Sequence, residues 1–191
     1  MEPKKDTKDI FLKTASRLFR HQGYHATGMN QIIKESKKPK GSLYHFFPNG
    51  KEELAIEAVL MTRKSSSEHL KKTIEPYQSP VEAIQALFRH FEKELDIDYI
   101  KEGGPAPIGL LTLETASMSQ ELRSVCRDTY YEWQSILEQK FIKCGLSKKV
   151  AAEKSVTTIV LMEGAVTLSI ANQSTEPFSI VSKQLFHLFN N

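Results

Sequence analysis

Phe19-Arg-His-Gln-Gly-Tyr-His-Ala-Thr-Gly-Met-Asn-Gln-Ile-Ile33, then Lys40-Gly-Ser-Leu-Tyr-His-Phe-Phe47, then Lys51-Glu-Glu-Leu54, sets a series of helix boundaries in close succession. Just upstream, Ile10, Phe11, Ala15, Leu18 and Phe19 recur at helical spacing, which predicts a first helix over about 7–21 with Asp6 as its cap. Gly23 stands where a left-handed residue ends such a helix. Thr27 is the expected N-cap of a short second helix, about 28–35, with Met29, Ile32 and Ile33 turned inward. Ser36-Lys37-Lys38-Pro39 is a basic polar connection, and proline suits a helical first turn, so a third helix is expected from Pro39 or Lys40 to Phe46. Pro48-Asn49-Gly50 is turn chemistry. A fourth helix then starts at Lys51 and runs past Met61, with Leu54, Ala58 and Met61 on one face. Three short helices with a three- to four-residue turn before the last make a helix-turn-helix unit.

This head is basic. Residues 1–51 carry 11 Lys and Arg against 4 Asp and Glu, a net of +7, whereas residues 52–191 carry 15 against 19, a net of −4. A local positive excess is an electrostatic footprint for nucleic acid or an anionic membrane. A solvated basic tail has the same composition, so charge alone does not choose. The helix geometry adds more, because the second helix of such a pair enters the major groove of DNA. Leu43 and Phe47, four apart, would face the core, which leaves Lys40, Gly41, Ser42, Tyr44 and His45 for the groove. Lys40 and Ser42 can donate to base edges, Gly41 permits close backbone approach, and Tyr44 and His45 reach phosphate oxygens. Thr27 would cap a helix whose positive end can meet a phosphate, and Lys51 adds a charge beside another helix N-terminus.

The rest of the chain also reads as helix. A fifth begins at Pro80 with Val81, Ile84, Phe88, Phe91 and Leu95 as a core stripe. Asp96 to Gly109 reads as a loop around Gly103-Gly-Pro-Ala-Pro107, and a sixth helix follows at about 108–117. Ser117-Met-Ser-Gln120 has capping-box spacing and opens a seventh, carrying Leu122, Cys126, Thr129, Trp133, Leu137 and Phe141 to a stop at Gly145. An eighth spans about 147–172 and a ninth about 178–189. Lys64-Ser65-Ser66-Ser67 reads as the exposed tail of the fourth. No stretch alternates as a strand would.

The last two helices are apolar on two sides. In the eighth, Val156, Ile159, Val166 and Ile170 make one face, and Val160, Gly164, Ala165, Leu168 and Ala171 another. In the ninth, Leu185 lies with Val181 and Leu188, while Phe178, Phe186 and Phe189 spread round the other side. A helix apolar on both faces must be covered on both. Its own domain covers one; a second copy of the chain, or burial at the centre of a monomer, covers the other. The favoured reading is a homodimer seam of Val160, Gly164, Ala165, Leu168, Leu185, Phe186 and Phe189.

Several classes drop out. The longest strongly apolar stretch, Ile159 to Ala171, holds Glu163 and is too short to span a bilayer, and no apolar run follows the basic N-terminus, so neither a membrane span nor a secretory signal is expected. Cys126 and Cys144, 18 residues apart, would lie about 27 Å apart on one helix, which implies reduced thiols and a cytoplasmic protein. No histidine has Glu three residues before it, no His-Glu-x-x-His occurs and Gly50-Lys51 lacks the rest of a P-loop, so no metal, cofactor or catalytic site is expected.

The quoted head resembles the TetR family of transcriptional repressors, which shares the Leu-Phe of helix one, the Gly-aromatic pair, the Thr, the Leu-Tyr-x-x-Phe of the reading helix and the Lys-Glu-Glu-Leu that opens helix four. Phe47-Pro-Asn-Gly-Lys-Glu-Glu-Leu54, with Gly104-Pro-Ala-Pro-Ile-Gly109 and Leu111-Thr-Leu-Glu114, is similar to the LmrA/YxaF-type branch. The chain departs from the family at the turn, where Ser36-Lys37-Lys38 replaces the usual Ala-Gly-Val; Lys37 and Lys38 add potential phosphate contacts. The resemblance implies an all-α fold of about nine helices. Residues 1–50 would form the DNA-binding helix-turn-helix domain, and 51–191 a helical ligand-binding and dimerisation domain. It further implies a dimer on a palindromic operator, released by a small effector of apolar, flavonoid-type character. Candidate lining is Phe88, Phe91, Leu111, Met118, Tyr130, Trp133, Leu137, Met162 and Val166, each of which plain core packing also explains. Glu114 and Glu163 sit in apolar stretches, where a carboxylate needs a neighbouring donor, a ligand or solvent. An effector-independent DNA-binding protein, a helical dimer that binds membrane or acidic protein, and a helical enzyme are the rival readings.

Overall fold

The computed structural model of the chain describes residues 3–94 and 108–189; Leu95 and the expected loop at 96–107 lie outside the described residues. Among the described residues there are nine helices and no strand. They are α1 (Pro3–Ala26), α2 (Met29–Ser36), α3 (Lys40–Phe46), α4 (Lys51–Ile74), α5 (Pro80–Glu94), α6 (Ile108–Thr115), α7 (Gln120–Lys143), α8 (Lys148–Asn172) and α9 (Glu176–Phe189). The helical class follows from the sequence periodicity; several boundaries do not. The helix expected to end near 21 continues to Ala26, broken at Gly23, whose φ of 84° and ψ of 169° are non-helical. Thr27 is not the cap of α2. That position is Gly28, without a side-chain bond, and the Thr27 hydroxyl turns back to donate to the Gly23 carbonyl at 2.7 Å. At α7 the cap is Ser119, not Ser117: its Oγ accepts from the Leu122 N–H at 3.0 Å. The serine run is no tail, because α4 continues to Ile74 and Ser67 is buried.

The chain divides into two compact units. The head holds α1 to α3, α4 as far as Lys64, α6, and α7 as far as Arg127; the body holds α4 from Ser65, α5, α7 from Asp128, α8 and α9. These units group the helices differently from the division expected after residue 50: α6 packs on α1 and goes with the head. Phe11, Leu18, Ile32, Leu43, Phe47 and Leu54 form the buried centre of the head, joined by Leu122 from α7. Each aromatic or aliphatic side chain buried in this way contributes about 1.5–3 kcal/mol.

The body core gathers Ile74, Ile84, Phe88, Leu137, Phe141, Phe178 and Leu185. Phe178 is flanked by Phe88 at 6.0 Å and by Phe91, stacked at 6.2 Å. Lys140 is buried and places its ammonium 2.9 Å from the Glu75 carbonyl at the end of α4. By length and composition α8 would suffice to cross a membrane, which corrects the expectation drawn from its central stretch alone; one face, Ala151, Ser155, Thr158, Ala165, Val166 and Ser169, is buried in the body. The cysteines, Cys126 and Cys144, are free.

Candidate nucleic-acid interface

α3 is a seven-residue helix held by its apolar side. Leu43 and Phe47 are fully buried beneath it. Their burial leaves Lys40, Gly41, Tyr44 and His45 exposed and Ser42 half-buried, so the residues expected to face a groove share the outer side of the helix. Lys40 lies 5.9 Å from the Tyr44 ring centroid, and no Cβ-sized obstacle lies within 4 Å of Gly41. The turn before α3 has an unusual backbone: Lys37 takes φ 53° and ψ 31°, the left-handed region that glycine fills at low cost. Lys37 is exposed and Lys38 half-buried.

Two of the expected contacts read differently in three dimensions. Thr27 is fully buried with its hydroxyl engaged, so its side chain cannot reach a phosphate. Lys51 is half-buried against Tyr24, its ammonium 4.3 Å from the ring centroid. Burial lowers the Lys51 pKa, and attraction from Glu114 opposes that. The Tyr24 hydroxyl is pushed up, first by burial and then by the nearby Glu52 carboxylate.

Side chains that the sequence reading passed over hold α1 and α2 together. Arg17 pairs with Glu35, Gln31 donates to Glu35 at 2.8 Å, and Gln22 donates both to the Gln31 side chain and to the Ala26 carbonyl. The Arg17 hydrogen bond, aided by Gln31, holds the Glu35 carboxyl below the usual range. Helical spacing contained part of the signal, since Gln31 and Glu35 are four apart; the pairing with Arg17 is tertiary.

The effector candidates divide between the units. In the head, Leu111 lines a small cavity of about 50 Å³ with Phe19, Ala58, Val59 and Ile108. Glu114 accepts a backbone N–H from Tyr24, and Met118 is exposed. In the body, Phe88, Leu137 and Val166 are core residues, and Phe91 and Met162 pack against that core. Tyr130 donates to Glu163 at 3.0 Å and meets Trp133 edge-on, while the Trp133 indole donates to Ser66 at 3.0 Å. Each of the two carboxylates thus has a donor inside the protein.

The expected dimer seam needs correction. Ala165, Leu185 and Phe189 are buried in the body's own core, because the two apolar faces of α8 and α9 are phased differently from the sequence reading. Val160, Gly164, Leu168 and Phe186 are exposed, and Val156 and Ile180 join them on the surface. Val160 is 63% exposed, Leu168 55% and Phe186 58%, an unusual density of large apolar groups on two adjacent helices.

Residues 11–58 match the family model for bacterial regulatory proteins of the tetR family, and residues 80–184 match the model for the transcriptional regulator LmrA/YxaF-like C-terminal domain. The chain is 41% identical over 185 residues to the HTH-type transcriptional regulator YxaF of Bacillus subtilis (strain 168), covering 97% of this chain and 96% of the relative. It is 40% identical over 177 residues to the HTH-type transcriptional regulator LmrA of the same organism, covering 93% of each. In fold it is similar to a TetR transcriptional regulator from Legionella pneumophila, with a TM-score of 0.83 at 18% identity over 95% of this chain and 96% of that one.

Proposed function

The chain belongs to the TetR family of transcriptional regulators, in its LmrA/YxaF-like branch, and on that premise we propose that it is a repressor that binds a palindromic operator as a homodimer and lets go when a small effector binds. It is a transcriptional regulator and not an enzyme. The observation that carries the reading is the outward display of Lys40, Gly41, Ser42, Tyr44 and His45 on a helix pinned by fully buried Leu43 and Phe47. Lys40 and Ser42 read base edges; Tyr44, His45, Lys37, Lys38 and Lys51 contact the phosphate backbone.

Pairing through the outer face of α8 and α9 is favoured by the exposed Val156, Val160, Leu168, Ile180 and Phe186, with Gly164 permitting close helix approach. Two reading helices one DNA turn apart, about 34–36 Å, then meet a two-fold symmetric site. The effector is an apolar, planar aromatic molecule of flavonoid type, taken up in the body beside Tyr130, Trp133, Phe91 and Met162. It acts by preferring the state whose reading helices are mis-spaced. The protein works in the cytoplasm, where its operator lies.

Selection of bound duplexes from a random DNA pool tests the reading. A palindromic consensus is expected. Recovery without sequence enrichment, whose binding simply fades with added salt, would reject it in favour of general anion binding. Screening aromatic compounds for release of the selected duplex then separates an effector-controlled repressor from a constitutive one.

A further inference from the structure

We propose that Glu114 is the positioning residue that sets the reading helices in register with DNA, acting through the corner at Gly23 and Tyr24; this rests on the DNA-binding reading above. Glu114 is the one charged residue of α6, an otherwise apolar or neutral segment. A carboxylate there is costly without a donor, and the donor comes from ninety residues away: the Tyr24 N–H points at Oε2, 2.5 Å distant. Three further contacts converge on the same corner. Gly23 has φ 84°, and a Cβ built on it would lie 2.9 Å from Oε2 and 3.0 Å from Cδ of Glu114, so a side chain at this position would push the carboxylate from its place. The His25 ring Nε2 lies 3.1 Å from the Glu114 carbonyl oxygen. The Lys51 ammonium, packed over the Tyr24 ring, is attracted by the Glu114 charge.

The corner leads straight into the reading elements. The Thr27 hydroxyl ties back to Gly23 at 2.7 Å, the Thr27 N–H to the Tyr24 carbonyl at 3.2 Å, and α2 begins at Met29. An anchor on residues 23–25 therefore fixes the entry angle of α2, and through it α3. Base-edge hydrogen bonds tolerate only a few tenths of an ångström. Attraction between lysines and phosphates is long-ranged and forgiving. Loss of the anchor is expected to remove discrimination between sequences and leave general DNA affinity in place. Removing a negative charge from a basic head raises that general affinity if it changes it at all.

The test compares the intact protein with Glu114→Ala and Glu114→Gln. Affinities are measured for the selected operator duplex and for a random duplex of equal length at one salt concentration, alongside thermal denaturation. Glu114→Ala is expected to lower the operator-to-random ratio by about tenfold or more with random-duplex affinity held or raised, the size of one or two base contacts. Glu114→Gln keeps an oxygen acceptor for the Tyr24 N–H and is expected to stay within about threefold of the unmodified chain, since only the charge is lost. An unchanged ratio in Glu114→Ala overturns the anchor, as does a fall in both affinities that tracks loss of folded protein. An equal loss in Glu114→Gln overturns the acceptor role. If the unmodified chain shows no operator preference, the DNA-reading proposal itself fails, and the anchor with it.

Discussion

Replacing Lys37 with glycine is expected to make the protein more stable and a poorer DNA binder. Lys37 ends α2 at φ 53° and ψ 31°. The left-handed region costs an L-residue roughly 1–2 kcal/mol, because Cβ crowds the following carbonyl. Glycine has no such clash, but its freer unfolded chain takes back about 0.4–1 kcal/mol. The difference is a net gain of about 0.5–1 kcal/mol. For a chain of this size each kcal/mol moves the midpoint by about 2–4 °C, so Lys37→Gly should melt about 1–4 °C higher. The exposed ammonium beside the reading helix is lost at the same time. One phosphate contact fewer lowers the slope of log affinity against log salt by about 0.9. Lys37→Ala is the control, since it removes the charge without relieving the backbone; it should match the binding loss with no gain in melting temperature. Thermal denaturation and operator titration over several salt concentrations measure both halves. A lower melting temperature for Lys37→Gly would refute the strain reasoning, and an unchanged salt slope in both variants would refute the phosphate contact.

Val160→Asp, on the exposed face of α8, is expected to give folded monomers with weak palindrome binding, whereas Ala165→Asp, buried in the body core, should unfold; sedimentation and circular dichroism distinguish the two, and a Val160→Asp dimer of unchanged mass would count against the seam. Phe88→Ala removes a fully buried ring packed on Phe178 and should cost about 3–5 kcal/mol in denaturant unfolding; a much smaller cost would mean that Phe88 lines a cavity rather than fills the core. Glu35 has a folded pKa held down by Arg17, so the folded state binds fewer protons there. Its contribution is present above the unfolded carboxylate range of about 4.3 and is lost as pH falls through the lower folded value. Glu35→Gln should flatten the acid limb of the stability curve, and an acid limb of unchanged steepness would remove the pair from the account.

What could be read from the chain alone was what local spacing encodes. The recurrence of Phe11, Ala15, Leu18 and Phe19, the Leu43 and Phe47 pair, and Pro39 before α3 suffice for the helices of the head and for the outer side of α3, because helical periodicity and side-chain burial are properties of near neighbours. The same logic placed apolar groups on both sides of α8 and α9. It did not phase them, because Ala165 and Val160 are both apolar and only packing into the body core decides which turns inward. Thr27 departs from the expected cap for a related reason: a hydroxyl before a helix can cap forward or bond backward, and the break at Gly23 supplies the backward acceptor.

Glu114 is the clearest case of what distance in sequence conceals. Its composition signals a carboxylate in need of a donor, while the donor is a backbone N–H ninety residues earlier, exposed by a glycine corner. By itself the sequence determined the all-α class, the exposed basic side of α3 and the family, since each depends on residues within a few turns of one another. The tertiary structure alone decided that α6 belongs with the head, which faces of α8 and α9 stay outside, and what the half-buried carboxylates Glu114 and Glu163 accept, since those depend on contacts that no local spacing encodes.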